Sequence, residues 1–96
     1  MRIDDALHEP LSILQRAYPN GVPKADYLAL LAELSVDMSE ENVAIVVAEL
    51  IDGERVVIGN DLAAALSVRR PAQEAVGRVR ERLRSAGWRW GEDSLG

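Results

Sequence analysis

The chain contains no cysteine, no phenylalanine and a single histidine, and only 4% of its residues are aromatic. Without cysteine there is no disulfide, no thiolate nucleophile and no thiolate metal ligand. His8 stands alone on the polar side of the first apolar stripe, with only carboxylates to complete a metal shell, so it reads as a surface histidine. None of Ser12, Ser35, Ser39, Ser67, Ser85 or Ser94 lies in a nucleophile-elbow context. The seven glycines are scattered singly and form neither a phosphate-binding loop nor a dinucleotide fingerprint. These absences leave no catalytic, cofactor-binding or metal-ligating constellation, and the expectation is a protein that is not an enzyme and carries no cofactor. No apolar run approaches the roughly 18–20 residues that span a bilayer. The start, Met1-Arg2-Ile3-Asp4-Asp5, carries two acids and no apolar run of the secretory kind, which sets a cytoplasmic location as the expectation.

What the chain does hold is small and aliphatic. Its 96 residues are 48% hydrophobic, mostly Ala, Leu and Val, a mixture suited to helix-on-helix packing. Five helical segments are expected. The first spans about 3–18, with Ile3, Leu7, Leu11, Leu14 and Tyr18 on one stripe. Pro10 interrupts it and predicts a kink or a broken first turn, with regular helix from residue 9 or 10. The second runs from Pro23 to Leu34. The third starts at the N-cap Ser39, with Glu40 and Glu41 favoured by the helix dipole and Met38 placed to staple onto Val43. It presents Val43, Val46, Val47, Leu50 and Ile51, and Gly53 is its expected stop. Val56-Val57-Ile58 reads as a brief extended stretch plugging the core or as half of a small hairpin, followed by a short helix from the cap Asn60 over Asp61–Leu66. The last helix begins at Pro71, presents Ala72, Val76, Val79, Leu83 and Ala86, and stops at Gly87, with Trp88 folding back on Leu83. The reading is a single all-α domain over residues 1–90, a compact five-helix bundle, with a frayed tail at 91–96. Each helix can bury its stripe within one chain, so a monomer is expected.

The densest local signal lies at residues 18–34. Pro19, Asn20 and Gly21 suit positions i+1 to i+3 of a type I turn, Gly21 or Asn20 can take the left-handed conformation, and Pro23 fits the opening of the next helix. The pattern Tyr18-Pro19-x-Gly21-Val22-Pro23-x-x-Asp26-Tyr27-x-x-Leu30-Leu31 resembles the family called domain of unknown function 3349, small proteins of mycobacteria and related actinobacteria. The resemblance continues through Ser39-Glu40-Glu41-x-Val43, Asp61-Leu62-x-x-Ala65-Leu66 and Gly87-Trp88, and covers roughly residues 7–90. It implies a compact bundle of five helices. No catalytic or binding residue is established for that family, so none carries over. Where the family pattern has proline after Gly-Trp this chain has Arg89-Trp90, which implies a different last turn.

Charge is sharply divided along the chain. Residues 1–54 carry three basic residues against eleven acidic ones, and residues 55–90 carry eight arginines against three acids. Two functional surfaces follow. One is a nucleic-acid interface, with Arg69, Arg70, Arg78, Arg82 and Arg89 on phosphates and a tryptophan stacking on a base, in a helix-turn-helix-like domain. The other is a protein-binding surface around Lys24, Asp26, Tyr27 and Trp90. Helical geometry argues against the first. Around the stripe of Val79 and Leu83, Arg78 and Arg82 flank one side and Arg80 and Arg84 the other, while Glu74 and Glu81 face outward. Arginines in that arrangement border a core, cover apolar surface with their stems and meet acids of neighbouring helices with their heads. Tyr18 and Tyr27 likewise fall on core stripes. The function expected is therefore that of a small non-catalytic accessory or interaction module with an unidentified protein partner, no membrane contact, and nucleic-acid binding as the alternative.

Overall fold

Pro10 decides where the first helix can begin. The first four N–H groups of an α-helix have no partner within it, so a proline there forfeits no hydrogen bond. In the computed structural model, which describes residues 7–88, helix α1 runs His8–Ala17 and places Pro10 third, inside that first turn. The described helix therefore starts around the proline, which interrupts no hydrogen bond, and Ile3, where the expected stripe begins, lies outside the described residues. At the far end the Tyr18 N–H donates to the Leu14 carbonyl at 2.9 Å.

The chain then turns as its sequence dictates. The Gly21 N–H donates to the Tyr18 carbonyl at 3.2 Å, closing a β-turn over residues 18–21. Gly21 takes the left-handed φ of +95°. Helix α2, Lys24–Leu34, follows directly from Pro23 in extended conformation. Helix α3, Glu40–Ile51, opens on the expected cap: the Asn42 N–H donates to Ser39 Oγ at 3.1 Å. Its end differs from expectation in one residue. Asp52, not Gly53, adopts the left-handed conformation (φ 57°), and the Gly53 N–H then reaches the Ala48 carbonyl at 2.9 Å.

Residues 56–58 are helical, not extended. Helix α4 spans Arg55–Ser67, and the Ile58 N–H already donates to Glu54 at 3.0 Å. Asn60, expected as a cap, lies inside this helix. Three connecting residues after α3 leave no room for a separate strand. The helix-propensity deficit of two valines, about 0.5 kcal/mol each, is small beside the packing that Ile58, Leu62 and Ala65 gain as one buried stripe. Val56 and Val57 do not plug the core; they face solvent. Helix α5, Gln73–Ala86, starts two residues after Pro71, with exposed Ala72 as its cap and Ala75 joining Val79 and Leu83 in the core. Its end is a Schellman cap: Gly87 at φ +106°, its N–H on the Arg84 carbonyl, and the Trp88 N–H on the Leu83 carbonyl at 2.9 Å. Trp88 is buried with Leu83 in the core.

The five helices close a ring of packing partners in the order α1, α5, α2, α4, α3 and back to α1, with α2 and α3 also touching across it. Leu14, Leu30, Leu31, Leu34, Val43, Val46, Val47, Leu62, Val79 and Leu83 are wholly enclosed. The Cα radius of gyration, 12.4 Å, is that of a compact domain of this length. The described residues form an all-α five-helix bundle with no strand among them.

Candidate functional site

The arginine-rich helix is the strongest sequence candidate for a site, and two of its half-exposed side chains, Arg78 and Arg80, reach back to buried acids of α2. The Arg78 guanidinium donates to Asp26 Oδ1 through Nε (3.1 Å) and Nη2 (2.7 Å), and the Asp26 side chain is only 5% exposed. The Arg80 guanidinium donates to the Glu33 carboxylate through Nε (2.9 Å) and Nη2 (3.4 Å), and Glu33 is buried as well. That contact holds the Arg80 charge more firmly than in water, first by hydrogen bonding and then by Coulomb attraction. Asp26 and Glu33 sit at the two ends of α2, and the two arginines flank the Val79–Leu83 stripe on opposite sides, so one helix crosses the other between two ion pairs. The Arg82 guanidinium lies 4.9 Å from the centre of the Tyr18 ring, within cation–π range. Among the described residues Arg84 reaches Glu81 of its own helix, at 3.7 Å, and both are exposed. From α1, Arg16 Nη2 donates to the Ala86 carbonyl at 3.0 Å and satisfies one of the open carbonyls at the end of α5.

Of the five arginines named as nucleic-acid contacts, Arg78 and Arg82 are thus engaged within the fold. Arg69 and Arg70 are exposed after the end of α4, on a different element, and Arg89 lies outside the described residues.

The proposed partner surface also divides. Asp26 and Tyr27 are adjacent in sequence but turn to different helices: Asp26 to α5, and Tyr27 to α4, where its hydroxyl donates to Asp61 Oδ2 at 2.8 Å. Burial, then the hydrogen bond to Asp61, then the charge of that carboxylate raise the Tyr27 pKa well above the usual tyrosine value. Asp26 is enclosed and offers nothing to a partner. Lys24 is exposed, and with Tyr27 it borders a shallow apolar groove whose other wall is Leu50, Ile51 and Asp52 at the end of α3. Trp90 lies outside the described residues. Tyr18 is 2% exposed, its hydroxyl has no hydrogen-bond partner, and its pKa is pushed up to about 12. Burial is the larger cause and the negative charge of Asp26 adds to it, against the opposing pull of Arg82 and Arg78. Tyr18 is enclosed at the α1–α2 corner, whereas Tyr27 ties α2 to α4. Among the described residues no cluster of three or more His, Asp or Glu side chains is placed to hold a metal ion.

The surface that sequence reasoning missed is the outer face of α4. Val56 is 74% exposed, Val57 52% and Val68, one residue past the helix, 82%. Leu66 is exposed on its edge, and Asn60, Ala63 and Ser67 complete the face. Between Val56 and Val68 there is one charged residue, Asp61, and it is occupied with Tyr27. The signal was present: Val56, Asn60, Ala63 and Ser67 recur at i, i+4, i+7 and i+11, opposite Ile58, Leu62 and Ala65. It was hidden by reading residues 56–58 as extended, which breaks the helical register.

Among the described residues no helix is long and apolar enough to cross a membrane. No curated protein and no solved structure shows significant similarity to the chain. A family model described as "Protein of unknown function (DUF3349)" matches residues 5–92, nearly the whole chain, and the chain belongs to that family.

Proposed function

We propose that this domain is a non-catalytic interaction module that works through the outer face of α4. One observation carries the reading: after Arg55 the solvent side of α4 is uncharged through Ser67 and bears valines more than half exposed. Single exposed valines are ordinary, but several on one uncharged face mark a contact surface. Retaining it costs solubility, and nothing in the bundle requires it, because Ile58, Leu62 and Ala65 already bind α4 to its neighbours. The cysteine-free composition suits the cytoplasm, where we place this role, and the bundle is a monomer before it meets its partner.

Nucleic-acid binding is the weaker reading because two of its arginines are committed to Asp26 and Tyr18, and the net charge of −5 repels phosphate. The test is affinity capture with the wild-type chain and with a Val56→Asp/Val68→Asp variant of verified helicity. Partners retained by the first and lost by the second support the reading. Partners retained equally by both place the contact elsewhere and defeat it.

A further inference from the structure

The fold redistributes the charge of the chain in a way that points to the kind of partner α4 receives. Arg78 and Arg80 of α5 are paired with the buried acids of α2, and the described residues 7–36 and 71–88 hold five acids against six basic residues. Residues 37–70, the α3–α4 hairpin with its flanks, hold seven acids against only Arg55, Arg69 and Arg70. Six of those seven acids lie on α3 and in its flanks, beside the apolar face, while α4 itself carries only Arg55 and Asp61. On α3, Glu41 and Glu49 lie on the side opposite Val43 and Val47 and are exposed, and Asp37 and Glu54 are exposed beyond its two ends.

Packed helices lie about 8–10 Å apart. A helix laid along α4 would therefore carry its flanking side chains over the outward carboxylates of α3, within reach of a lysine or arginine. Resting on the interaction reading above, we propose that the partner of the α4 face is a basic amphipathic helix. Its apolar stripe meets Val56, Val57, Ala63 and Val68, and its cations lie towards Glu41 and Glu49. The charge argument selects among occupants. A second copy of this chain would bring the same excess of acid against itself, nucleic acid would bring phosphate, and a membrane surface would bring anionic headgroups. Each is opposed by the acids that attract a basic helix.

The experiment is an amide-resolved NMR titration of the full chain with two synthetic helical peptides of about 18 residues sharing one leucine stripe. One carries lysines on its polar face and the other glutamates. The lysine peptide is expected to shift the amides of residues 55–68 and of the outward positions of α3, with affinity falling as salt is raised. A Glu41→Lys/Glu49→Lys variant, both surface changes, is expected to bind it about fivefold more weakly, two exposed ion pairs being lost. Equal binding of the glutamate peptide at α4 would overturn the charge assignment and leave the interaction reading standing. Dimerisation of the chain in sedimentation, abolished by Val56→Asp, would replace the basic helix with a second copy and overturn the assignment in the same way. If neither peptide moves α4 and Val56→Asp/Val68→Asp captures the same partners as wild type, the interaction reading itself has failed along with this one.

Discussion

Removing the Arg78 guanidinium should expose how strongly the α2–α5 crossing depends on one ion pair. In the native fold the Asp26 carboxylate is almost wholly enclosed, while Arg78 is about half open to water (side-chain exposures 5% and 53%). A fully buried pair that loses one partner costs about 3–5 kcal/mol, because the remaining charge is stranded. An exposed pair costs about 0–1 kcal/mol. The open guanidinium puts Arg78→Ala between these limits, at about 2 kcal/mol, since water can enter the vacated space and reach part of the carboxylate. A domain of this size shifts its Tm by about 4–8 °C per kcal/mol, so a loss of about 8–16 °C is expected by circular dichroism. Asp26→Asn alone should cost less, about 1 kcal/mol, because the amide oxygen still accepts from the arginine. The decisive quantity is the coupling in the double-mutant cycle with Asp26→Ala and Arg78→Ala. A coupling of about 1.5–2 kcal/mol is expected. A value below about 0.5 kcal/mol, inside the range of exposed pairs, would show that the stems and not the charges hold this crossing.

The other arginines give a sharper contrast: Arg80→Glu should lower the Tm because it faces buried Glu33, whereas Arg84→Glu, beside exposed Glu81, should leave it unchanged. The two tyrosines should ionise late, with phenolate absorbance in the near ultraviolet rising only well above pH 10 in the folded protein and near pH 10 in urea. For Tyr18 the folded pKa lies above the unfolded value, so its protonated form favours folding. That contribution is complete below pH 10 and is lost as pH rises through 10 to 12, and a melting temperature flat across this window would refute it. Tyr18→Phe removes an unpartnered hydroxyl and should be neutral or stabilising by up to about 1 kcal/mol at pH 7. Asp52→Gly should stabilise by about 0.5–1 kcal/mol, since it relieves a left-handed residue and takes a negative charge from a helix C-terminus; denaturant titration would show it. Ser39→Ala should cost about 1 kcal/mol in the same titration by losing the bond to the Asn42 N–H.

Much of the fold was legible because its signals are local. The turn at Tyr18–Gly21, the Ser39 cap and the Gly87 stop depend on a few neighbouring residues, and the backbone uses them as their chemistry requires. Most of the apolar stripes of α3 and α5 follow from periodicity alone, with Ile51 and Ala72 exposed against expectation, and so does the pairing of Arg78 and Arg80 with acids of an earlier helix. Errors fell where local and tertiary preferences disagree. Two valines before an isoleucine favour an extended backbone locally, yet Ile58 is one rung of a buried ladder with Leu62 and Ala65, and the ladder sets the helix from Arg55 onward. Gly53 is the better left-handed residue, yet Asp52 occupies that position, because the 6→1 bond from Gly53 to Ala48 fixes which residue must turn.

By itself, then, the sequence determined an all-α domain, its helix count, most of its caps and its family, since these rest on side-chain periodicity and on the conformational limits of proline and glycine. The tertiary structure alone decided which acid each arginine meets, that Asp26 and Tyr27 part company, and that α4 keeps an uncharged face in solvent. Those outcomes depend on how five helices close into a ring. A distance between residues fifty positions apart, such as Arg78 to Asp26, is set by that closure and by nothing nearer in the chain.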